Sequence, residues 1–173
     1  MVTITPAGPK DAATLAAIGA ATFLEAFCEF IHGPDLILHL QRQHNSDVYR
    51  AYLQDPEPRT AAWLALHETT QAPIGYALTC PPDLPVPTTE RDVELKRIYV
   101  FSTFHGTGVA TALEEAAETH ARKLGAPTLL LGTHQDNERA AGFYAKRGYR
   151  MIGRRPFQIG HAIMDDVVMG KKL

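Results

Sequence analysis

Apolar positions along this chain recur in two rhythms. Residues 2–5 alternate and stop at Pro6, which predicts a short first strand. Leu15, Ile18, Ala21, Thr22, Leu24 and Phe27 then return at three- and four-residue steps, predicting an amphipathic helix capped by Asp11. Gly33-Pro34 breaks that run. Asp35 opens a second predicted helix with Leu36, Leu40, Val48, Tyr49 and Tyr52 as its apolar positions, and Pro56 and Pro58 end it. Residues 60–66 and 74–79 read as a strand hairpin about Gln71-Ala-Pro. The proline-rich stretch 81–87 has to be a loop, because proline is excluded from central strands. A strand is expected over 92–101. After Gly106-Thr-Gly108 comes an amphipathic helix to about Leu124, with Val109, Leu113, Ala116, Ala117 and Leu124 as its apolar positions and Gly125 as its C-terminal cap. Residues 127–131 predict a buried strand, 137–147 a helix ended by Gly148, and 149–154 and 166–169 the last strands. The pattern is mixed α+β, one layered sheet with helices on both faces.

At 173 residues, with no internal repeat and no long linker, the chain suits one domain. A net charge of −2 lacks the basic excess of a nucleic-acid binder. No run approaches the roughly 20 apolar residues of a membrane span, and the first residues carry no signal-peptide pattern. Neither nucleic acid nor membrane is therefore an expected partner. The two cysteines, Cys28 and Cys80, have no CxxC spacing, which points to a reducing cytoplasm. Eight histidines form no HxH or HExxH, so no metal is expected.

The segment with the most chemistry is 93–113. A strand ends, glycines follow at His105-Gly106-Thr107-Gly108-Val109-Ala110-Thr111, and a helix begins. The first amides of a helix have no partner within it, and the helix dipole adds positive charge there. Glycines let the backbone approach a bulky anion, so such a turn can hold a pyrophosphate without a basic side chain. The same glycines also fit a tight turn of purely structural purpose. The segment is neither a P-loop, since no GK[ST] follows, nor the dinucleotide fingerprint, since its third glycine is missing.

This turn resembles the GNAT superfamily of N-acetyltransferases. That family carries [Gln/Arg]-x-x-Gly-x-[Gly/Ala] after a strand ending in Leu-x-x-Ile/Leu-x-Val, and here Leu95, Ile98 and Val100 precede the turn. His105 stands where the family has Gln or Arg. A second segment, Asn137-x-x-Ala140-x-x-Phe143-Tyr144-x-x-x-Gly148-Tyr149, resembles the family's other signature. The resemblance covers residues 60–173 well, and the first 57 only in a two-helix outline.

The resemblance implies a central, mostly antiparallel twisted sheet of six or seven strands, with a parallel pair that splays apart. It implies acetyl-coenzyme A as cosubstrate, its pyrophosphate gripped along His105, Gly106, Thr107, Gly108, Val109, Ala110 and Thr111. It lays the pantetheine arm along Ile98, Tyr99 and Val100 like an added strand. It assigns the Val100 amide to the oxyanion, Asn137 to the cofactor arm, and the Tyr144 hydroxyl to the departing thiolate. Residues alone leave other readings open: Asn137 as a helix N-cap, and Tyr144 as a core aromatic. The resemblance also implies an acceptor side in 1–58 and a coenzyme core in 59–173.

An alkylamine with a pKa near 10.4 has to lose a proton before it attacks a thioester. Glu94 is the candidate base; residues 94, 96, 98 and 100 are expected on one face of their strand, and Glu94 also reads as a surface or structural carboxylate paired with Arg97 or another base. Phe23, Glu25, Phe27, Glu29 and Phe30 are candidates for an acceptor pocket, or simply for a core face beside a solvated one. The chain's ending resembles a branch that includes bacterial spermidine/spermine-type acetyltransferases, making a polyamine or another small amine the lead substrate. Rival readings are a non-catalytic coenzyme-binding regulatory module, a protein-interaction domain and acetylation of a protein amine. A homodimer is compatible with all of these.

Overall fold

The computed structural model describes residues 2–173. Its strands are β1 (Val2–Ala7), β2 (Ala61–His67), β3 (Pro73–Cys80), β4 (Val93–Val100), β5 (Thr128–His134), β6 (Arg150–Ile159) and β7 (Ala162–Lys172). They form one sheet in the order β1-β2-β3-β4-β5-β7-β6, antiparallel throughout except for the β4–β5 pair. The helices are α1 (Ala12–Phe27), α2 (Gly33–Gln43), α3 (Ser46–Gln54), α4 (Val109–Lys123) and α5 (Glu138–Lys146). On one sheet face Val93, Leu95, Leu129 and Leu131 bury against Val109, Leu113 and Ala117 of α4 and Tyr144 of α5. On the other, Leu64, Tyr76 and Leu78 bury against Leu15 and Ile18 of α1 and Tyr49 of α3. The predicted mixed fold with helices on both faces is the observed one.

Several local expectations change. β1 runs through Pro6, which pairs with Trp63; β1 is an edge strand, where a missing N–H is tolerated. Asp11 accepts from the Gly8 amide at 2.9 Å and caps no amide of α1. The single helix expected from Asp35 to Tyr52 is two helices. The chain turns at His44, and Asn45 caps α3 by accepting from the Asp47 and Val48 amides. β6 and β7 are longer than expected and pair as a hairpin out to Ile159 and Ala162.

The β3–β4 ladder slips by one residue: Thr79 lies opposite Leu95, but Leu78 lies opposite Arg97. Lys96 is the extra residue of a bulge, so the alternation reverses across it. Val93, Leu95, Ile98 and Val100 therefore face α4, whereas Glu94 shares the α1 face with Arg97 and Tyr99. Residues 94, 96, 98 and 100 do not share one face.

Gly19 of α1 lies where a Cβ would stand 2.6 Å from the His44 Nδ1 and closer still to the Tyr49 hydroxyl. That hydroxyl cannot yield, because it bonds to His44 at 3.0 Å and to the Tyr76 hydroxyl at 2.9 Å. Alanine in a helix gains ~1 kcal/mol over glycine, while overpacking a core costs about 1–3 kcal/mol. Gly19→Ala is expected to lower the melting temperature by several degrees, as thermal unfolding monitored by circular dichroism will read.

Candidate active site

β4 and β5 pair only at Val93 with Leu129 and Glu94 with Leu130. Past these residues the strands part, and a notch opens in the middle of the sheet. The Phe101 amide donates to the Ile74 carbonyl at 3.0 Å, flanking the Gly75–Val100 pair. In an antiparallel ladder this turns the N–H and C=O of Val100 away from β3. With the register continuous to Ala77 and Ile98, the polar groups of Ile98 turn the same way. Ile98 thus presents its main-chain donor and acceptor to the notch, and Val100 its amide. Tyr99 does not: its main chain serves β3, and its ring lies on the α1 face near Phe23, 5.9 Å between centroids.

The turn after β4 ends at the same notch. Gly106 and Gly108 take positive φ of 78° and 90°, and a Cβ at either would meet nothing within 4 Å. Gly108 precedes α4 and no side chain caps the helix. The amides of Gly108, Val109, Ala110 and Thr111 find no acceptor among the described residues, and the first helical bond runs from Ala112 to the Gly108 carbonyl. The result is an open row of donors at the positive end of a helix. Thr107 is exposed, and its hydroxyl donates to the Phe104 carbonyl at 2.7 Å. His105 folds back so that its Nε2 lies 2.9 Å from the Val100 carbonyl. The histidine that stands in place of Gln or Arg therefore ties the end of the strand to the start of the turn.

Tyr144 approaches from α5 and is 7% exposed. Its ring meets Phe143 and Tyr149 edge-on at 5.2 and 5.5 Å. Its hydroxyl has no partner among the described residues, yet it is not enclosed, since the sealed unpartnered side-chain atoms are those of Thr60 and Asp92. Burial, with Tyr99 and Glu114 nearby, pushes its pKa well above the ordinary tyrosine range. The helix carrying it is fixed by a buried carboxylate: Glu114 accepts from Arg147 Nε at 2.7 Å and from the Tyr149 hydroxyl at 3.0 Å. Asn137 caps α5 through its Oδ1, which accepts from the Ala140 amide at 3.0 Å.

Glu94 sits where β4 and β5 part and is only 1% exposed. One oxygen accepts from the Asp83 amide at 2.8 Å, and the other lies 4.0 Å from both Lys96 and Arg155. Arg97 is not its partner; that guanidinium donates to the Gln43 carbonyl at 3.0 Å and lies over the Tyr49 ring. A second acid near the notch, Asp166 on β7, is held by Arg155 at 3.1 Å, and burial raises its pKa. Sequence reasoning missed Asp166 and Arg155, because only the β6–β7 register brings them together.

The five residues grouped as an acceptor cluster separate. Phe23 and Phe27 pack together at 4.4 Å, and Glu25 accepts from the Ser102 amide and hydroxyl at 3.0 and 2.8 Å. Phe30 is 72% exposed, and Glu29 lies in solvent beyond α1.

A strand notch, a donor-lined helix start and a buried tyrosine on the following helix define an acyl-group transferase. Residues 24–149 match the acetyltransferase (GNAT) family, and the chain belongs to that family. An uncharacterised N-acetyltransferase of Mycobacterium bovis is 35% identical over 163 residues, covering 94% of this chain and 98% of its own. The peptidyl-lysine N-acetyltransferase YjaB of Escherichia coli is 30% identical over 113 residues, 65% of this chain and 63% of its own. Among solved structures, the PaiA N-acetyltransferase of Thermoplasma acidophilum in complex with coenzyme A has the same fold, with a TM-score of 0.78 at 15% identity and coverage of 100% and 99%.

Proposed function

We propose that this protein moves the acetyl group of acetyl-coenzyme A onto the amine of a small molecule, by direct attack within a ternary complex. The observation that carries the reading is the row of unpaired amides at the start of α4, which opens onto the β4–β5 notch. In this reading Gly106 to Thr111 hold the diphosphate, and the pantetheine arm bonds to Ile98 and Val100 as a missing strand. The Val100 amide, directed into the notch, stabilises the oxyanion; one such donor is worth ~3 kcal/mol. The free amide nitrogen of Asn137 reaches the arm, since capping uses only its oxygen. Tyr144 gives its proton to the thiolate. Glu94 takes the amine's proton through water, being placed at the apex of the notch. Helices α1–α3 supply the acceptor side and residues 59–173 the coenzyme side.

Cys80 does not suit a covalent acyl-enzyme. Burial and Glu94 push the Cys80 thiol up to about 12, which keeps it protonated and unreactive. A peptide lysine is the second reading, favoured by the name of the Escherichia coli relative.

Acetyl-coenzyme A at 100 times its Kd is expected to stabilise the protein by ~2.7 kcal/mol. Adding an amine panel is expected to release free thiol. Stabilisation without thiol release would point to a regulatory module, and no stabilisation would leave the glycine turn a structural device.

A further inference from the structure

The apex of the notch holds an amine of the protein's own. Lys96 is the extra residue of the β4 bulge, set between Leu95, which faces α4, and Arg97, which belongs to the α1 face. Its Nζ lies 4.0 Å from Oε1 of Glu94, with the lysine side chain 25% exposed against 1% for the acid. That separation is too long for a hydrogen bond, and Nζ has no other partner among the described residues. Glu94 presents its carboxylate on the α1 side of the sheet, where the acceptor helices stand, and the Lys96 amine comes to that same side. Ile98, whose main chain lines the notch, follows two residues on, about 7 Å along the strand.

An amine that attacks a thioester has to bring its nitrogen within reach of the group that takes its proton, directly or through one water. Lys96 meets that condition with respect to Glu94 by virtue of the fold alone. The other cation at this distance does not compete. Arg155 Nη1 also lies 4.0 Å from Oε1 of Glu94, but its guanidinium is held by Asp166 at 3.1 Å and stays protonated, so it is no nucleophile. The other lysines stand elsewhere: Lys171 pairs with Glu114 and Glu118 of α4, and Lys10, Lys123, Lys146 and Lys172 are exposed. Lys96 is therefore placed as an acceptor in cis, and its tether replaces the binding step that a free amine has to make.

We propose that the protein acetylates its own Lys96, each chain acting on itself with the acetyl-coenzyme A that it holds. Nζ attacks the thioester carbon; the N–C bond forms, the C–S bond breaks, and coenzyme A leaves as its thiol. Starting from the ammonium, the nitrogen gives up two protons. One passes through Glu94 to solvent, and the other is balanced by the proton that Tyr144 delivers to the sulfur. The product amide is neutral and fills the place beside Glu94 where a free amine has to stand, so the modified chain turns over its acceptor more slowly. The inference rests on the acetyl-transfer reading and adds a modification site to it.

The test is incubation of the full chain with acetyl-coenzyme A and no added amine, followed by peptide mass spectrometry. Lys96 is expected to gain an acetyl group at least ~10-fold faster than Lys10, Lys123, Lys146 and Lys172, which read the uncatalysed background. The rate constant should not change with protein concentration, because the attack stays within one chain. Gly108→Asp should slow Lys96 to the background, and amine-dependent thiol release by the wild-type protein should fall in step with its labelling. Lys96 labelled no faster than the exposed lysines, labelled equally fast in Gly108→Asp, or labelled at a rate that climbs with protein concentration would overturn the proposal. Thiol release with the amine panel while Lys96 stays unlabelled leaves acetyl transfer standing and removes only the self-acetylation. Neither thiol release nor labelling refutes both.

Discussion

Gly108→Asp is expected to weaken coenzyme A binding at least ~100-fold. Two unit charges ~4 Å apart near a protein surface repel by about 4 kcal/mol, or roughly three decades before salt screening. The new carboxylate would stand at the helix start, among the donors that the diphosphate requires, and would offer them a rival anion in cis. The fold should survive. Nothing lies within 4 Å of the added Cβ, and Asp tolerates the left-handed backbone at φ 90° better than most residues. Titration calorimetry with coenzyme A reads the affinity, and circular dichroism checks the fold. Unaltered binding by a folded variant would place the diphosphate elsewhere and remove the basis of the functional proposal.

Tyr144→Phe is expected to lower kcat by ~10²–10³ while coenzyme affinity stays nearly constant. General acid catalysis contributes on this scale. The ring packing against Phe143 and Tyr149 needs no hydroxyl, so the variant keeps its core. The sign of the pKa shift matters here. Because the folded value is raised above the ordinary 10.0, the hydroxyl stays protonated through pH 9, and Tyr144 alone imposes no alkaline fall in rate below pH 10. Pre-steady-state thiol release separates chemistry from binding. A variant with wild-type turnover would eliminate Tyr144 as the acid.

Much of this architecture was legible in the sequence, for local reasons. The glycine turn, the α4 period and the Asn137–Gly148 helix are written in residues whose backbone demands are local, and their bounds fell within a residue or two. The break between α2 and α3 also had a local signal, Asn45 followed by Ser46-Asp47, but the longer run of apolar positions masked it. Other features carry no local signal. The slip at Lys96 exists only because β3 fixes the register of β4, so the side on which Glu94 faces could not be read from alternation. Asp166 and Arg155 meet across a hairpin that was read as shorter than it is.

The supernumerary residue at Lys96 also restricts how this lineage can vary in length. Deleting or inserting one position in the first half of β4 would exchange inward for outward along that half, driving Glu94 into the apolar layer under α4 and Val93 and Leu95 out of it. Gains and losses of residues should therefore be tolerated in the proline-rich crossing before β4, and purged from the strand itself.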